Sequence, residues 1–401
     1  MDADRGSPGV PITDVRATKL VTAFDADDLD ASNHTVLVEI EDANGRIGIG
    51  EADSSSAAVH AVVSMQDEQK WNWGLRSALI GEDPVQVGAL WDKLAAVTAY
   101  QGPSGISRHA LAAVDIALHD LAGKQLSRPA FHLLGGARRK QLRPYATIYA
   151  GAIGERSLTE MMDTTLALMT KAIGLGFRAI KMEVVFEELA SDRDLVSCIR
   201  DGRETIGEDA ELLVDFGYRW HDWRDACWTL RHAEASRIWL AEATLPHHDL
   251  ESHARLASRV DTRVGGGEFA TTFEECRAWL EIGQVDVIQA DIARCGGLTE
   301  MRRVAQLAAM HGATVIPHCW KTGINAAAAR QFQAATENVP LIEMLSAELF
   351  HSPLRAGLVS PEPAVKDGLL PLPSVPGLGV ELVSSVVDRY RKPSPSSPTG
   401  P

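Results

Sequence analysis

From about residue 145 the chain settles into an alternation that few folds can accommodate. Short β-rich apolar runs ("YATIYAG", "FRAIKMEV", "ELLVDFG", "IWLAEA", "TRVGGGE", "DVIQAD", "ATVIPHC", "PLIEML") are separated by helical stretches, the first "LTEMMDTTLALMTKAIGLG" and the last "TGINAAAARQFQAAT". Continuous apolar strands belong to a parallel sheet covered on both faces, and strict strand–helix alternation marks an α/β chain. Eight strands and seven helices in about 210 residues fit a closed barrel better than an open sheet. Residues ahead of it follow other rules. "HTVLVEIEDANGRIGIGEA" reads as a hairpin turning at Asn44–Gly45, and "SRHALAAVDIALHDLAGKQL" reads as a helix.

The expected organisation is an α+β domain over 1–140, the barrel over 141–354, and a Gly/Pro-punctuated segment over 355–391 that packs back on the first domain. The Pro/Ser-rich tail 392–401 is expected to be disordered. A net charge of −15 and a pI near 5.3 make nucleic acid and anionic membrane surfaces poor partners. The start "MDADRGSPGV" has neither a basic start nor an apolar stretch, and the scattered cysteines suit a reducing compartment, so a cytoplasmic protein is expected. Five scattered cysteines without C-x-x-C spacing argue against a disulfide framework or a zinc site.

In a parallel barrel, side chains from several strands converge at the strands' C-terminal ends. Those positions are Lys181 with Glu183, then Asp215, Glu242, Glu268, Asp291, His318 and Glu343, at intervals of 34, 27, 26, 23, 27 and 25 residues from Lys181 onward. Asp215, Glu242 and Glu268 would bring three carboxylates to one mouth, where they repel unless a cation compensates. Oxygen-only ligation suits a hard divalent ion such as Mg²⁺. Asp291 and His318 suit a dyad in which the carboxylate fixes the imidazole tautomer of a general base. Lys181, across the barrel, would offer a cation to the other face of a substrate carbon.

With these residues in place the chain resembles the enolase superfamily, and within it the mandelate racemase-like subgroup. The likeness runs from about residue 12 to 391. It is carried by "ALAAVDIALHDLAGKQLSRPAFHLLGG" and by the series "LLVDF", "GGGE", "QADIARCGGLTE", "IPHCWKTGI" and "LIEM". The resemblance implies a modified TIM barrel, (β/α)7β, under an N-terminal α+β capping domain completed by the C-terminal segment. It also implies one Mg²⁺ per subunit on Asp215, Glu242 and Glu268, a His318–Asp291 dyad, and Glu343 as a hydrogen-bond donor to the substrate carboxylate. A homo-oligomer, dimer or octamer, is expected. Three positions depart from the pattern: Glu183 replaces the usual second lysine, Thr244 stands where proline is common, and Gly217 stands where asparagine is common. An alternative register would put Ala241 in place of Glu242.

The shared chemistry of such proteins is removal of the proton alpha to a carboxylate. Without the second lysine, two-base racemisation gives way to one-base chemistry. The expected reaction is dehydration of a sugar acid to a 2-keto-3-deoxy acid, with epimerisation, racemisation or lactone cycloisomerisation as alternatives. A non-catalytic sugar-acid-binding paralogue is the alternative of another class. Substrate contacts are expected from loop 22–34, with Asp25, Asp27, Asp28 and Asp30, and from "GEADSSSAAVH" (50–60), with Ser54, Ser55 and His60. Glu183 is expected to pair with Lys181, or to bond a substrate hydroxyl. The runs "WNW" (71–73) and "HHD" (247–249) read as surface or packing features.

Overall fold

The computed structural model describes residues 9–22, 33–67, 74–186 and 188–392. The N-terminal apolar runs form an antiparallel sheet of β1 (Ile12–Val21), β2 (His34–Asp42) and β3 (Ile47–Ala52), in that order. The β2–β3 turn is tied by Asp42, whose carboxylate accepts the backbone N–H groups of Asn44 and Arg46. Gly45 takes φ +76° there, a conformation that suits glycine. Helices α1 (Ser56–Ser64), α2 (Leu75–Leu79), α3 (Val87–Thr98) and α4 (Ile106–Gln125) follow.

Helix α4 is buried at every residue from Ala110 to Gly123, as its small and apolar composition dictates. Strand β3 crosses it so closely that a Cβ on Gly48 or Gly50 would lie 2.2 or 2.0 Å from the carbonyl oxygens of Ala117 and Ala113. The alternating "GIG" of β3 is therefore a requirement of packing.

After the short β4 (Gln141–Leu142) the expected alternation appears in full. It runs β5 (Pro144–Ile148), α5 (Leu158–Gly174), β6 (Ala179–Glu183), α6 (Asp192–Ile206), β7 (Glu211–Asp215), α7 (Trp223–His232) and β8 (Ile238–Glu242). It continues through α8 (Leu250–Ala257), β9 (Arg263–Gly266), α9 (Phe273–Glu281), β10 (Val287–Ile288), α10 (Gly297–Met310), β11 (Thr314–Val315), α11 (Gly323–Ala335) and β12 (Ile342–Met344). The ladder order is β11-β10-β9-β8-β7-β6-β5-β12, so the eighth strand lies beside the first, as a barrel demands. Tyr145, Ala179, Leu213, Leu240, Val287, Ile316 and Leu341 fill the interior below the strand ends. The fold is a (β/α)7β barrel with an N-terminal α+β cap.

The chain then forms α12 (Pro353–Gly357), β13 (Val359–Ser360), β14 (Leu370–Pro371), β15 (Glu381–Leu382) and α13 (Ser384–Tyr390). Strand β14 pairs with β4, and Arg391 bridges to Leu20 of β1. Buried acids fix the cap to its neighbours. Asp115 of α4 accepts the Thr299 hydroxyl (2.6 Å) and backbone N–H (3.0 Å) at the start of α10. Glu51 of β3 accepts the backbone N–H groups of Thr322 and Asn325 at the start of α11, and the hydroxyls of Thr35 and Thr322. Asp120 accepts from the N–H groups of Ile49 and Leu378, and from Lys124. Among the described residues no helix is long and apolar enough to cross a membrane, and the five cysteines are free thiols.

Candidate active site

The parallel register builds the mouth. Glu183 of β6 pairs with Asp215 of β7, and Asp215 pairs with Glu242 of β8. Paired residues of a parallel ladder point the same way, so three acids stand side by side in one row. Glu268 continues it just after β9, aimed by Gly267 at φ +101°. Ala241 packs into the apolar core between strands and helices, so Glu242, not Ala241, faces the interior.

Lys181 sits one pleat lower, in register with Leu213 and Thr147, and its long side chain rises into the row. Its ammonium lies 3.1 Å from both oxygens of Glu242, 2.7 Å from Glu343 and 3.8 Å from Asp215, at 1% exposure. The expected Lys181–Glu183 pair is not formed. Residues i and i+2 share a face, but Glu183 meets Asp215 laterally while Lys181 reaches past it. Oε1 of Glu183 is buried without a hydrogen-bond partner. Burial, with Asp215 beside it, pushes this carboxyl well above the usual range. Glu183→Gln therefore mimics the protonated group, and is expected to leave Tm within about 2 °C of wild type in a thermal melt without added metal.

Glu343 lies at the base of the same cluster. Burial disfavours its charge, but Lys181 and His318 outweigh burial and hold the carboxyl at about 2. Both oxygens are engaged as acceptors, Oε1 by Lys181 and the Thr147 hydroxyl (2.5 Å) and Oε2 by the Cys319 N–H (2.7 Å). In this arrangement Glu343 accepts from Lys181 and holds its ammonium in place.

On the other side of the mouth His318 is 6% exposed. Its Nδ1 lies 2.7 Å from Asp291 Oδ2 and its Nε2 lies 3.2 Å from Glu268 Oε2. Asp291 is locked in turn by the Ala293 N–H (2.6 Å) and the Asn325 amide (3.0 Å). Burial opposes the imidazolium, but Glu268 raises the ring to about 9. A further carboxylate arrives from the cap: Asp53, just after β3, lies 3.7 Å from His318 Nδ1, 2.8 Å from Arg294 and 3.5 Å from Lys321. Asp53, Arg294 and Lys321 were not singled out as site residues by pattern, although Arg294 lies inside "QADIARCGGLTE". Tyr218 was also missed. Its hydroxyl donates to Glu268 Oε1 (2.6 Å) from a backbone turn with positive φ at both Gly217 and Tyr218.

Among the described residues one acid group has its ligand atoms drawn together, and another carries the uncompensated charge. Asp53, Asp291 and His318 bring one ligand atom each within 4.8 Å of one another, but Arg294 and Lys321 already balance Asp53, and His318 takes up Asp291. Asp215, Glu242 and Glu268, with Glu183 alongside, carry more negative charge than Lys181 and His318 offset. Burial pushes Asp215 up to about 6, with Glu268 adding repulsion, and pushes Glu242 up to about 8, with Asp215 and Glu343 adding theirs. Their ligand atoms do not all lie within 4.8 Å of one another as those of the first group do, but this oxygen-only, charge-frustrated set has the chemistry to take a hard divalent cation.

A pH prediction follows from these shifts. Asp215, Glu242 and His318 all bind protons more tightly folded than unfolded, so their stabilisation is present at low pH and lost as pH rises through the folded values of about 6, 8 and 9. Asp53 and Glu343, both held at about 2, contribute stability above the unfolded carboxylate range and lose it only as pH falls toward 2, outside this window. Without added metal, Tm should fall between pH 6 and pH 9, and saturating Mg²⁺ should flatten the fall. Equal slopes with and without Mg²⁺ would contradict the assignment of Asp215 and Glu242.

The expected substrate loops fare differently. Ser55 is exposed and caps α1 by accepting the Ala58 N–H. Ser54 Oγ lies 2.7 Å from His109 Nδ1. His60 is half-buried, with Lys19 as its charged neighbour. Asp25, Asp27, Asp28, Asp30 and the run 71–73 lie outside the described residues. His247 packs edge-on against Phe269 and Tyr218, and Asp249 caps α8.

Comparison with known proteins identifies the family. The family described as "Enolase C-terminal domain-like" matches residues 165–386, and the "Mandelate racemase / muconate lactonizing enzyme, N-terminal domain" matches residues 15–135. D-galactarolactone cycloisomerase of Agrobacterium fabrum is 32% identical over 367 residues, covering 90% of this chain and 92% of that protein. Arabinonate dehydratase of Saccharolobus solfataricus is 30% identical over 389 residues, covering 95% and 99%. The structure of a racemase from Streptomyces coelicolor A3(2) with bound magnesium superposes with a TM-score of 0.79 at 25% identity, over 95% and 100% of the two chains. The chain belongs to the enolase superfamily, in its mandelate racemase/muconate lactonizing enzyme branch.

Proposed function

We propose that this chain removes the proton alpha to the carboxylate of a sugar acid and expels the beta hydroxyl as water, giving a 2-keto-3-deoxy acid. The observation that carries this reading is the buried imidazole of His318, with Nδ1 fixed by Asp291 and Nε2 turned to the row of acids. In the neutral state His318 takes the alpha proton. The same nitrogen then returns it to the beta hydroxyl, so one base serves both halves of the elimination. Lys181, fixed by Glu343 and Glu242, presents an ammonium to the substrate carboxylate as its charge grows. Asp215, Glu242 and Glu268 would hold a Mg²⁺, which when bound supplies positive charge to the substrate carboxylate. Cycloisomerisation of a sugar lactone is the second reading, and the likeness to the Agrobacterium enzyme favours it; it begins with the same proton.

The test is a panel of sugar acids and their lactones in deuterated buffer with Mg²⁺. Deuterium uptake at the alpha carbon, read by NMR, supports the proton-abstraction reading. Appearance of a 2-keto acid selects dehydration, and its absence alongside loss of a lactone selects cycloisomerisation. No uptake over a panel covering the aldonic and aldaric acids, with Mg²⁺ shown to bind, would overturn both in favour of a non-catalytic binder.

A further inference from the structure

Just beyond Asp215 the backbone takes an uncommon course. Gly217 and Tyr218 both adopt positive φ, 59° and 63°, and a bulky aromatic residue stays in that region only where its surroundings hold it. The chain leaving β8 supplies the hold. The N–H groups of Phe216, Tyr218 and Trp220 donate to the carbonyls of Glu242, Ala243 and Thr244, and Ala243 is itself at φ 49°. Glycine or asparagine would take the turn at less cost, so the strain retains a side chain with a task. The Tyr218 hydroxyl lies 2.6 Å from Glu268 Oε1. Its ring is stacked on Phe269, with centroids 5.5 Å apart, and meets His247 edge-on. The same turn engages a second acid, for the Gly217 N–H donates to Asp215 Oδ1 (2.9 Å). One oxygen of each acid is thus occupied by the turn. The other stays toward the row, Asp215 Oδ2 at 3.8 Å from Lys181 and Glu268 Oε2 at 3.2 Å from His318.

We propose that Tyr218 is a positioning residue for the cation site, its hydroxyl holding Glu268 Oε1 so that the carboxylate presents Oε2 alone to a divalent ion. The inference rests on the reading of Asp215, Glu242 and Glu268 as the residues that hold Mg²⁺. A glutamate with both oxygens free can offer either one, grip an ion with both, or close on His318. A hydrogen bond from behind removes those choices before the ion arrives, as partners outside a ligand set do. The hydroxyl also donates without bringing a positive charge that would compete with the ion. Gly217 does the same for Asp215 through the backbone, so one strained turn sets two acids together.

The test uses the full chain stripped of metal with a chelator and titrated with Mg²⁺ in a calorimeter. Tyr218→Phe keeps the ring, its stack on Phe269 and the backbone N–H, and removes only the hydroxyl. Its Kd for Mg²⁺ is expected to rise about 10- to 100-fold. An unchanged Kd, whatever happens to Tm, would make the hydroxyl a packing feature and overturn the proposal. Failure of the wild-type chain to bind Mg²⁺ would instead overturn the assignment of Asp215, Glu242 and Glu268, and this inference with it. Crystals of the wild-type chain soaked in Mg²⁺ give a reading that does not depend on the variant folding. The ion on Glu268 Oε2, with Tyr218 still bonded to Oε1, supports the proposal. Glu268 gripping the ion through both oxygens, or an ion away from Glu268, rejects it.

Discussion

His318→Asn should abolish alpha-proton exchange, with turnover falling by about 10³-fold or more. The imidazole is the one base in the described site whose far nitrogen is fixed by a carboxylate, at 2.7 Å, while the near nitrogen faces the row of acids. General-base contributions alone are typically about 10²–10⁴-fold, and here the same group is asked to return the proton to the leaving hydroxyl. Asn keeps polarity and bulk, so the fold should survive, which circular dichroism and an unchanged Mg²⁺ titration would verify. Asp291→Asn should be milder for exchange but still severe, about 10²-fold, because its carboxamide oxygen can keep the bonds from Ala293 and Asn325 while its NH2 replaces the acceptor that fixes the ring tautomer. Full exchange in His318→Asn would move the base elsewhere, with Lys181 the next group in reach.

Lys181→Met should produce the largest loss of stability of any single change in the mouth. The ammonium contacts Glu242 and Glu343 directly and Asp215 at 3.8 Å. Removing one member of a buried charge cluster typically costs about 3–5 kcal/mol, because its partners are left uncompensated. The loss should be greatest at alkaline pH, where Glu242 is ionised, and Mg²⁺ should restore part of it. Lys181→Arg is not a conservative alternative. A planar guanidinium must fit where a point charge now sits beside Tyr145 and below Glu183. Turnover in Lys181→Met should fall at least about 10²-fold even when Mg²⁺ restores the fold, since a cation aimed at developing charge is lost. A Tm within about 2 °C of wild type would contradict the charge arrangement.

The barrel was readable because its strands and helices repeat with clean periods, and because seven consecutive strands, from the second onward, end on an ionisable residue at about one strand–helix interval. Glu242 could be preferred to Ala241 on spacing, and the fold explains the preference, since Ala241 packs outward against apolar neighbours. Pairings within the mouth were not readable. Two residues on one strand share a face, yet which of them touch depends on side-chain length and on the register of the next strand. Lys181 is long enough to pass Glu183, and Asp215 stands directly beside Glu183, so proximity in sequence gave the wrong partner. The partners of Glu343 were not readable either, since Thr147, Cys319 and Lys181 meet at its two oxygens from positions far away in sequence. Asp53, Arg294 and Lys321 come from chain segments far apart and lack any common spacing. The capping role of Ser55 was not readable, because a serine that caps a helix and a serine that faces a sugar look alike in a loop.

Helix α4 limits how this protein can admit a substrate. Its Asp115 holds the start of α10 and its Asp120 holds both β3 and the returning C-terminal segment, while Glu51 of the adjoining strand holds the start of α11. Swinging the cap away as a rigid lid would strip partners from three buried carboxylates at once. Entry is therefore a matter for short loops at the rim, moving over a clamped foundation. Changes of specificity can then accumulate in those loops without loosening the joint beneath them. A mutation inside the joint should reach activity only through folding, lowering the yield of native protein while leaving the turnover of each folded molecule intact.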